Sequence, residues 1–337
     1  MVDKYHTCDF YFELMITQTE LAEKIGVARE TLSRAFSGSP SVSEKLRERI
    51  FAEGKKYNYR PNSAALAMRN GRHRHVGILT NNPPNRPRNN LAAFEVILGV
   101  NQELEKEQFV ASMLHSHDRD GEDLLLKRAF KENLLDGVIV IGNTSDSITR
   151  QVSDSFSNVI SVECNHWFEN DCLRRDEKHS GHLLAKTLVE AGYDEFSWIG
   201  PIPTSSESEH FSLRERYESV RDSLSSYGID LHPEKEERFF ETRNAQAVIA
   251  YDMMYAQRFQ HSVLPKLMEQ KGKLTIASCD ERHETHLHWP SLIRISNARF
   301  DLGRKAARMF LKRLQGDTPI KSVKVRGKLI PGELQFS

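Results

Sequence analysis

Cysteine is scarce in this sequence, with 4 residues in a chain of 337. Cys8, Cys164, Cys172 and Cys279 show neither CxxC spacing nor the density of a disulfide-stabilised scaffold. We therefore expect reduced thiols, and the small disulfide-rich class of secreted proteins is excluded.

Long hydrophobic runs are absent as well. No stretch reaches the roughly 18 apolar residues that a membrane-spanning helix needs. The first residues, MVDKYHTCDFYFELM, lack the basic segment, apolar segment and small-residue cleavage site of a secretory signal. We expect a protein of the cytoplasm that has no membrane partner.

The motifs of common nucleotide-binding and hydrolytic enzymes are also missing. GxxxxGK[ST], GxGxxG and GxSxG do not occur. The segment ERHETHLH (281–288) comes nearest to a metal site. In the metal-binding motif HExxH the two histidines lie on one helix face, but HETH is one residue short of that spacing. We interpret these histidines as surface residues and expect no catalysis, no cofactor and no metal.

The overall charge is balanced, with 47 basic and 47 acidic side chains, but its distribution is uneven. Residues 16–75 contain 12 Lys and Arg against 6 Asp and Glu, whereas the rest of the chain contains 35 against 41. A basic segment joined to an acidic body is typical of a nucleic-acid-binding module attached to a part without that role. Chance clustering on a solvated helix face is the alternative.

The basic segment has the pattern of three short helices joined by tight turns. Thr17, with Glu20 three residues later, predicts a capping box, and Gly26 ends that first helix after two turns. A second helix is predicted over about 28–36, and Ser43 is expected to cap a third. The inward-facing candidates are Val27, Leu32, Leu46, Ile50 and Phe51. This arrangement predicts a helix-turn-helix.

The second predicted helix presents a polar outer face formed by Arg29, Glu30, Ser33 and Arg34. In a helix-turn-helix this face enters the major groove, where an arginine can donate two bonds to guanine and a glutamate can accept one from cytosine. Ion pairs on a solvated helix are the alternative interpretation. Four further basic residues are better placed for phosphate groups, namely Arg47, Arg49, Lys55 and Lys56.

These residues resemble the amino-terminal region of the lactose-repressor (LacI/GalR) family of bacterial transcription regulators. The matching motifs are IGV (25–27), TLSR (31–34), VSEKLRERI (42–50) and NYRPN (58–62), followed by a short run that ends in Met-Arg. The similarity covers about sixty residues without a gap, from Thr19 to Leu79. It is more specific than any single motif.

The resemblance implies a role for each matching residue. Arg29 and Glu30 correspond to positions that vary with the operator sequence, and Arg34 corresponds to an arginine that reads guanine. Residues 62–69 correspond to a hinge helix that pairs with its dimer mate in the minor groove, where Met68 would be the wedge. The implied DNA-binding residues are Thr17, Ala28, Arg29, Glu30, Thr31, Ser33, Arg34, Asn62, Ala65, Met68 and Arg69. The implied partner is a pseudo-palindromic operator bound by a homodimer.

The remaining chain alternates short apolar runs with longer helical stretches, which predicts parallel sheets covered by helices on both faces. The predicted strands are 76–80, 109–115, 136–142, 158–163, 195–200, 247–250 and 274–278. The fold class is therefore a small all-α helix-turn-helix head plus an α/β core of two lobes, which the resemblance makes similar to periplasmic binding proteins. We expect no terminal leucine heptad to build a tetramer.

The predicted domain boundaries combine these patterns. An extension covers 1–15, and we expect Met15 to be the native start. The head covers 16–60, a hinge and linker cover 61–75, and the effector-binding and dimerisation core covers 76–337. The predicted lobe 1 covers about 76–174 and 298–320, and the predicted lobe 2 covers about 175–297 and 321–337. The resemblance implies three crossings between the lobes, near 172–176, Asn297 and Ile320.

The resemblance also implies a small polar effector, sugar-like in class, in the cleft between the lobes. Arg216 and Asp280 correspond to the arginine and aspartate that hold such a ligand, which suits a guanidinium fork and a carboxylate on a closing hinge. The looser matches are Asn90, Glu163, Ser212, Tyr251 and Asn297. The usual aromatic wall is replaced by Ala92 and Ala93. An ion pair between the lobes is the alternative role for Arg216 and Asp280.

Taken together, the sequence predicts a DNA-binding regulator, and a repressor in particular, whose operator affinity a ligand controls through the hinge spacing. A transporter's solute-binding protein would need a secretory signal and no basic head. A regulator that binds DNA independently of ligand, with a degenerate cleft, remains open as the second interpretation.

Overall fold

The computed structural model describes residues 16–60, 72–81, 91–116, 124–132, 134–204, 209–234, 247–269, 274–281, 292–316 and 319–332. The chain divides into two compact units, Met1–His73 and Arg74–Ser337. No helix among the described residues is long and apolar enough to span a membrane.

The first unit contains three short helices in its described part. They are α1 (Gln18–Ile25), α2 (Arg29–Phe36) and α3 (Glu44–Lys56). The predicted capping box is present, because Thr17 Oγ1 accepts a bond from Glu20 N while the Glu20 carboxylate accepts one from Thr17 N. Gly26 ends α1 with φ 75°, a left-handed conformation that glycine adopts without strain. The turn between α1 and α2 is thus fixed by local sequence.

A small apolar core joins the three helices. Leu21, Leu32 and Ile50 are fully buried, one from each helix. Phe51 was expected to be covered, but 44% of its surface is exposed; its ring still lies 5.2 Å from the ring of Phe36. Each helix therefore contributes a fully buried aliphatic residue to this core, which Ala22, Ile25, Ala35 and Val42 extend, and an aromatic contact lies at its edge.

Two arginines of α3 connect loops within the first unit. Arg49 Nη2 donates to Ile25 O at 2.9 Å, which satisfies a carbonyl at the end of α1. Arg47 Nη2 donates to Ser39 O at 2.6 Å in the loop after α2. Both had been predicted as phosphate contacts, and the structure gives each a bond inside the protein. Lys55, on the same helix, is exposed.

The second unit alternates strands and helices along the chain. Its first half contains β1 (His75–Asn81), α4 (Leu91–Lys106), β2 (Val110–Ser116), α5 (Leu124–Lys131), β3 (Gly137–Ile141), α6 (Asp146–Ser155), β4 (Val159–Val162) and β5 (Cys172–Arg175). The second half contains α7 (Glu177–Glu190), β6 (Phe196–Ile199), α8 (Phe211–Ser225), β7 (Leu231–Pro233), β8 (Ala247–Ala250), α9 (Met253–Glu269), β9 (Thr275–Ser278), β10 (Ile293–Ser296), α10 (Arg299–Leu314), β11 (Val323–Val325) and β12 (Lys328–Ile330). All seven predicted strands are present.

The strands form two six-stranded sheets, one in each lobe. The strand order is β11-β5-β4-β3-β1-β2 in lobe 1 and β12-β10-β9-β8-β6-β7 in lobe 2. Every pairing is parallel except that β12 runs antiparallel to β10. The central strands β3 and β8 are buried along their whole length, as expected of parallel strands covered on both faces.

The chain crosses between the lobes at three places. After β5 it leaves the lobe 1 sheet, and after β10 it returns through α10, whose Leu302 and Phe310 belong to the lobe 1 core. The third crossing lies between β11 and β12, at Arg326 and Gly327. It therefore comes later in the chain than the crossing that the sequence suggested near Ile320, because β11 still pairs with β5.

Glycine allows α4 and α10 to pack closely in lobe 1. A Cβ atom on Gly303 would fall well inside contact distance of Val96 O, and one on Gly99 would do the same at Phe300 O. Both obstacles are backbone atoms that cannot rotate away. The two helices can therefore approach this closely only because neither has a side chain at the crossing.

This packing makes a prediction for Gly303→Ala. Alanine should favour an isolated helix by about 1 kcal/mol, but the clash with the α4 backbone should destabilise the core by about 3 kcal/mol or more. Thermal unfolding of the full chain measures the sign. Lys305→Ala, an exposed position of the same helix, is the control and should change the free energy of unfolding by less than about 0.5 kcal/mol. A Gly303→Ala protein as stable as the control would contradict the close crossing.

Candidate functional site

The outer face of α2 carries the charged residues that the sequence assigned to DNA contact. Arg29, Glu30 and Arg34 are exposed, while Leu32 and Ala35 on the opposite side are buried. Glu30 and Arg34 make no side-chain hydrogen bond or ion pair with any described residue. The face therefore presents one carboxylate and two guanidinium groups, of which that of Arg29 donates through Nε to Gln18 Oε1 at 3.4 Å; such groups read cytosine and guanine edges.

The other predicted DNA-binding residues have different positions. Thr17 is exposed at the start of α1, where its hydroxyl is part of the capping box. Ala28 caps α2 without a side-chain bond. Thr31 and Ser33 are half-buried, so their side chains are less accessible than the three charged residues. Four predicted residues lie outside the described part of the chain, namely Asn62, Ala65, Met68 and Arg69.

The second candidate site lies where the lobes meet. The six described residues of the predicted ligand site belong to one connected set of hydrogen bonds, which also includes Arg175. They follow the carboxyl ends of strands or lie on the first half of α8, as expected for a site in a parallel α/β fold. These residues are Glu163, Ser212, Arg216, Tyr251, Asp280 and Asn297. Asn90 lies outside the described residues.

Asp280 is the centre of this network. Its carboxylate accepts bonds from Arg216 Nη2 at 3.1 Å, from Arg175 Nη1 at 3.4 Å and from Arg299 Nη2. Asn297 Nδ2 donates to its other oxygen at 2.9 Å. Burial would raise the pKa of Asp280, but the three guanidinium groups outweigh that effect and hold the pKa well below its usual range. The carboxylate is therefore charged at every physiological pH.

Glu177 is the second buried carboxylate of the cleft, and its side chain is fully buried. Arg216 binds it through two parallel bonds, Nε to Oε2 at 2.9 Å and Nη2 to Oε1 at 2.7 Å. Arg175 Nη1 lies 3.1 Å from Oε1. Burial alone would raise the pKa of Glu177, but Arg175 and Arg216 lower it overall. Three arginines and three carboxylates, Glu163 being the third, thus balance each other in the cleft.

The sequence alternative of an Arg216–Asp280 pair between the lobes is not what the structure shows. Arg216 lies on α8 and Asp280 follows β9, and both elements belong to lobe 2. Two of the bonds that Asp280 accepts cross between the lobes, and they come from Arg175, at the end of β5, and from Arg299, at the start of α10. The aspartate is therefore shared between its own lobe and the opposite one.

A chain of neutral groups lines the other side of the cleft. His210 Nε2 faces Glu163 O at 2.9 Å, and because a carbonyl only accepts, this nitrogen must carry the proton. Nδ1 therefore accepts from the Ser212 hydroxyl at 2.8 Å, and Ser212 Oγ in turn accepts from Tyr251 Oη at 2.9 Å. Burial lowers the pKa of His210 to about 4, which keeps the ring neutral. The direction of every bond in this chain is thus fixed.

The chemistry available in the cleft is recognition through charge and hydrogen bonds. Asn297 is 3% exposed, and its Oδ1 has no hydrogen-bond partner among the described residues, so one buried acceptor remains unused. Within the same residues, no three His, Cys, Asp or Glu side chains are arranged to hold a metal ion. The HETH segment (283–286) falls outside the described ranges. Burial raises the pKa of the Cys279 thiol beyond its usual range, so this thiol is not a nucleophile.

Comparison with known proteins agrees with the geometry of the head. The family model described as "Bacterial regulatory proteins, lacI family" matches residues 17–62, which include α1, α2 and α3. Residues 17–62 are therefore a lacI-family domain. The exposed face of α2 lies within this matched region and is the candidate DNA-reading surface of a DNA-binding regulator.

Similarity to known proteins also extends over almost the full length of the chain, including the core. The ribose operon repressor of Lactococcus lactis subsp. lactis (strain IL1403) is 24% identical over 321 residues, covering 92% of this chain and 94% of that protein. The lac repressor dimer bound to operator and the anti-inducer ONPF has a TM-score of 0.75 at 17% identity, covering 96% and 99%. The regulator CelR in complex with cellobiose has a TM-score of 0.59 at 18% identity, covering 95% and 99%. Such relatives are transcriptional regulators rather than enzymes.

Several residues of this cleft were missed by sequence reasoning. Arg175, Glu177 and His210 read as ordinary polar residues in isolation. Their signal was positional, because each lies within a few residues of a crossing or a predicted site residue.

Arg174 was also missed, and it forms a second contact between the lobes. Its guanidinium lies between the rings of Trp167 and Phe211, 4.7 and 4.5 Å from their centroids, and pairs with Glu215 at 3.0 Å. Trp167 and Arg174 belong to lobe 1, whereas Phe211 and Glu215 lie on α8 of lobe 2. This cation–π contact therefore joins the two lobes separately from the charge network around Asp280.

The pH dependence of stability tests the role of neutral His210. Its pKa falls from the ordinary 6.5 to about 4, so between these values the unfolded chain binds a proton that the folded chain does not. The contribution of His210 to stability is therefore complete above about pH 6.5 and decreases as the pH falls towards 4, by about 3 kcal/mol in total. His210→Asn, which can still cap α8, should make the melting temperature depend less on pH between about 4 and 6.5.

The control for this experiment is His182→Asn, an exposed position on α7. Carboxylates also titrate in acid, so the quantity to compare at each pH is the difference in melting temperature between each variant and the unmodified chain. The control should follow the unmodified chain at every pH. A His210→Asn profile that also follows it would contradict a buried neutral imidazole.

Proposed function

We propose that this protein is a ligand-responsive repressor of transcription that binds a pseudo-palindromic operator as a homodimer. The observation that carries the proposal is the exposed charged face of α2 within a lacI-family head. Support for repression and dimerisation comes from the relatives, one named a ribose operon repressor and another described as a lac repressor dimer on its operator. The place of action would be the cytoplasm, and no catalytic role is included.

The domain assignment follows the predicted boundaries with one adjustment. The head would cover 16–60, the hinge and linker 61–75, and the two-lobed core 76–337. The adjustment concerns lobe 1, which would end after β11 at Val325 because that strand pairs with β5. The proposed DNA contacts are the predicted ones, with Arg29, Glu30 and Arg34 as base readers and the exposed Lys55 on a phosphate.

Base reading by Arg34 is testable by selecting duplexes from a random library with the full chain. Arg34→Ala should lose discrimination at one base pair in each half-site, at a cost of about 1–3 kcal/mol, because a bidentate contact to guanine is removed. Lys55→Ala is the matched control from the same unit. It should weaken binding to all sequences alike and leave the selected motif unchanged. If Arg34→Ala selects the same motif as stringently as the unmodified chain, α2 does not read bases through this residue.

The proposed effector site is the cleft around Asp280. An arginine, a carboxylate and the unused Asn297 oxygen supply both donors and acceptors for a small polar molecule. Sugar chemistry is suggested by relatives described with ribose and cellobiose in their names. Binding would change the relative position of the lobes, which sets the spacing of the paired hinges and thereby the operator affinity.

Effector binding is testable by thermal unfolding with ribose, maltose, cellobiose and related sugars. A ligand that binds only the folded protein should raise the melting temperature by about 5–10 °C at a hundred times its Kd. Asn297→Ala should abolish the rise, while Arg221→Ala, an exposed arginine on α8, should keep it. A rise that survives Asn297→Ala would place the ligand elsewhere.

The ligand-independent regulator remains the second candidate, and one observation favours it. Apart from Asn297 Oδ1, the polar groups described around Asp280 are bound to each other, so an effector must replace internal bonds. An unmodified chain whose melting temperature no member of the panel raises would support this candidate over the effector-controlled one.

A further inference from the structure

Glu177 binds the guanidinium of Arg216 through both of its carboxylate oxygens. The guanidinium of Arg216 is used in the side-on arrangement, in which Nε and Nη2 donate to the two carboxylate oxygens at 2.9 and 2.7 Å. This two-bond geometry is the one by which arginine recognises free carboxylates and phosphates. Here the carboxylate belongs to the first residue of α7 rather than to a bound molecule.

The same carboxylate also reaches the opposite lobe. Glu177 Oε1 lies 3.1 Å from Arg175 Nη1, and Arg175 is the last residue of β5 in the lobe 1 sheet. Arg175 in turn donates to Asp280 of lobe 2. Glu177 therefore sits between two guanidinium groups, one in each lobe, and neutralises charge that would otherwise drive the two groups apart.

We propose that Glu177 is a built-in occupant of the effector site and the residue that determines which molecules can enter it. Its carboxylate holds Arg216 and Arg175 together as an anionic ligand would, and so keeps the cleft closed from within. The proposal rests on the proposed function, since it concerns regulation through the same cleft. It predicts that the chemical class able to replace Glu177 is a small anion with two acceptor oxygens.

The charges of the cleft explain why a neutral effector such as a sugar must bind beside Glu177 rather than replace it. Arg175, Arg216 and Arg299 are opposed by Glu163, Glu177 and Asp280, and all six side chains are at least nine-tenths buried. A neutral sugar that displaced Glu177 would leave two buried guanidinium groups without that counter-charge, which is strongly unfavourable. A carboxylate or phosphate group restores the balance when Glu177 is absent.

Chemical rescue is the direct experiment. Glu177→Ala removes the carboxylate and leaves space beside both arginines, so the full chain should melt about 5–15 °C lower. Acetate or formate, used as the probe, should bind in that space and restore at least half of the loss in a saturable way. Sodium chloride at the same concentrations is the salt control. The unmodified chain, whose site is filled by Glu177, should respond equally to acetate and chloride.

The matched control variant is Glu190→Ala. Glu190 lies at the other end of α7, and its side chain is 63% exposed beside Lys186. This variant should melt like the unmodified chain and show no response to acetate beyond that to chloride. Equal effects of acetate and chloride on Glu177→Ala would overturn the proposal, because a purely structural ion pair gives no specific site for a free carboxylate.

A second variant covers the case in which Glu177→Ala does not fold. Glu177→Gln keeps the shape of the side chain but removes its charge, so amide hydrogen exchange in β5 and in residues 279–281 should accelerate at least about tenfold as the lobes separate more often. Exchange rates equal to those of the unmodified chain would show that the charge does not hold the cleft closed, and the proposal would fail.

Measurements of DNA binding distinguish a failure of the role of Glu177 from a failure of the proposed function. If the unmodified chain selects no duplex, the proposed function fails, whatever the rescue experiment shows. If it selects one, the affinity of whichever variant folds, Glu177→Ala or Glu177→Gln, for that duplex should differ from that of the unmodified chain by at least about fivefold. With Glu177→Ala, acetate should reverse the difference. An unchanged affinity would overturn the regulatory role of Glu177 while leaving DNA binding intact.

Discussion

Neutralisation of buried charge at Asp280 is the constraint on which the arrangement of the core depends. A carboxylate that is 2% exposed needs guanidinium partners, and these come from both lobes. The chain satisfies this need by placing Arg175 at the first crossing and Arg299 at the second. The groups best suited to hold a ligand are thus also those that hold the lobes together, so ligand chemistry and lobe position cannot vary independently.

The helices of the head and the alternation of strands and helices along the core were predictable because their signals are local. Thr17 with Glu20, and Gly26 six residues after Glu20, specify a cap and a turn through the backbone of neighbouring residues alone. Most of the seven predicted strands are apolar runs with largely buried residues, which needs no knowledge of their partners; the exception is β2, which lies at the edge of its sheet and is partly exposed. The short strands β7, β11 and β12 have only three residues each. Their pairing depends on the neighbouring strand rather than on their own pattern, so the antiparallel β12 could not be foreseen.

The charge network was only partly predictable for a related physical reason. Arg216 and Asp280 were assigned from their resemblance to a known family, and both lie in the cleft. Glu177 and Arg299 are single charged residues at the starts of helices, where most such residues are solvated. Their burial follows from the crossings, which bring the lobes together and place Arg175 beside Asp280, 105 positions later in the sequence. The sequence signal for this network was therefore the presence of charged residues beside the predicted crossings.

The contrast between the exposed head and the balanced cleft has a consequence for ionic strength. Residues 16–75 carry an excess of basic side chains, whose attraction to a polyanion is screened by salt within about 10 Å at 0.1 M. The cleft contains three positive and three negative side chains, and because all six are buried, mobile ions barely reach them. Raising the salt concentration should therefore detach the head from DNA without opening the core. Ionic strength and cleft chemistry would then act on this protein as two separate controls.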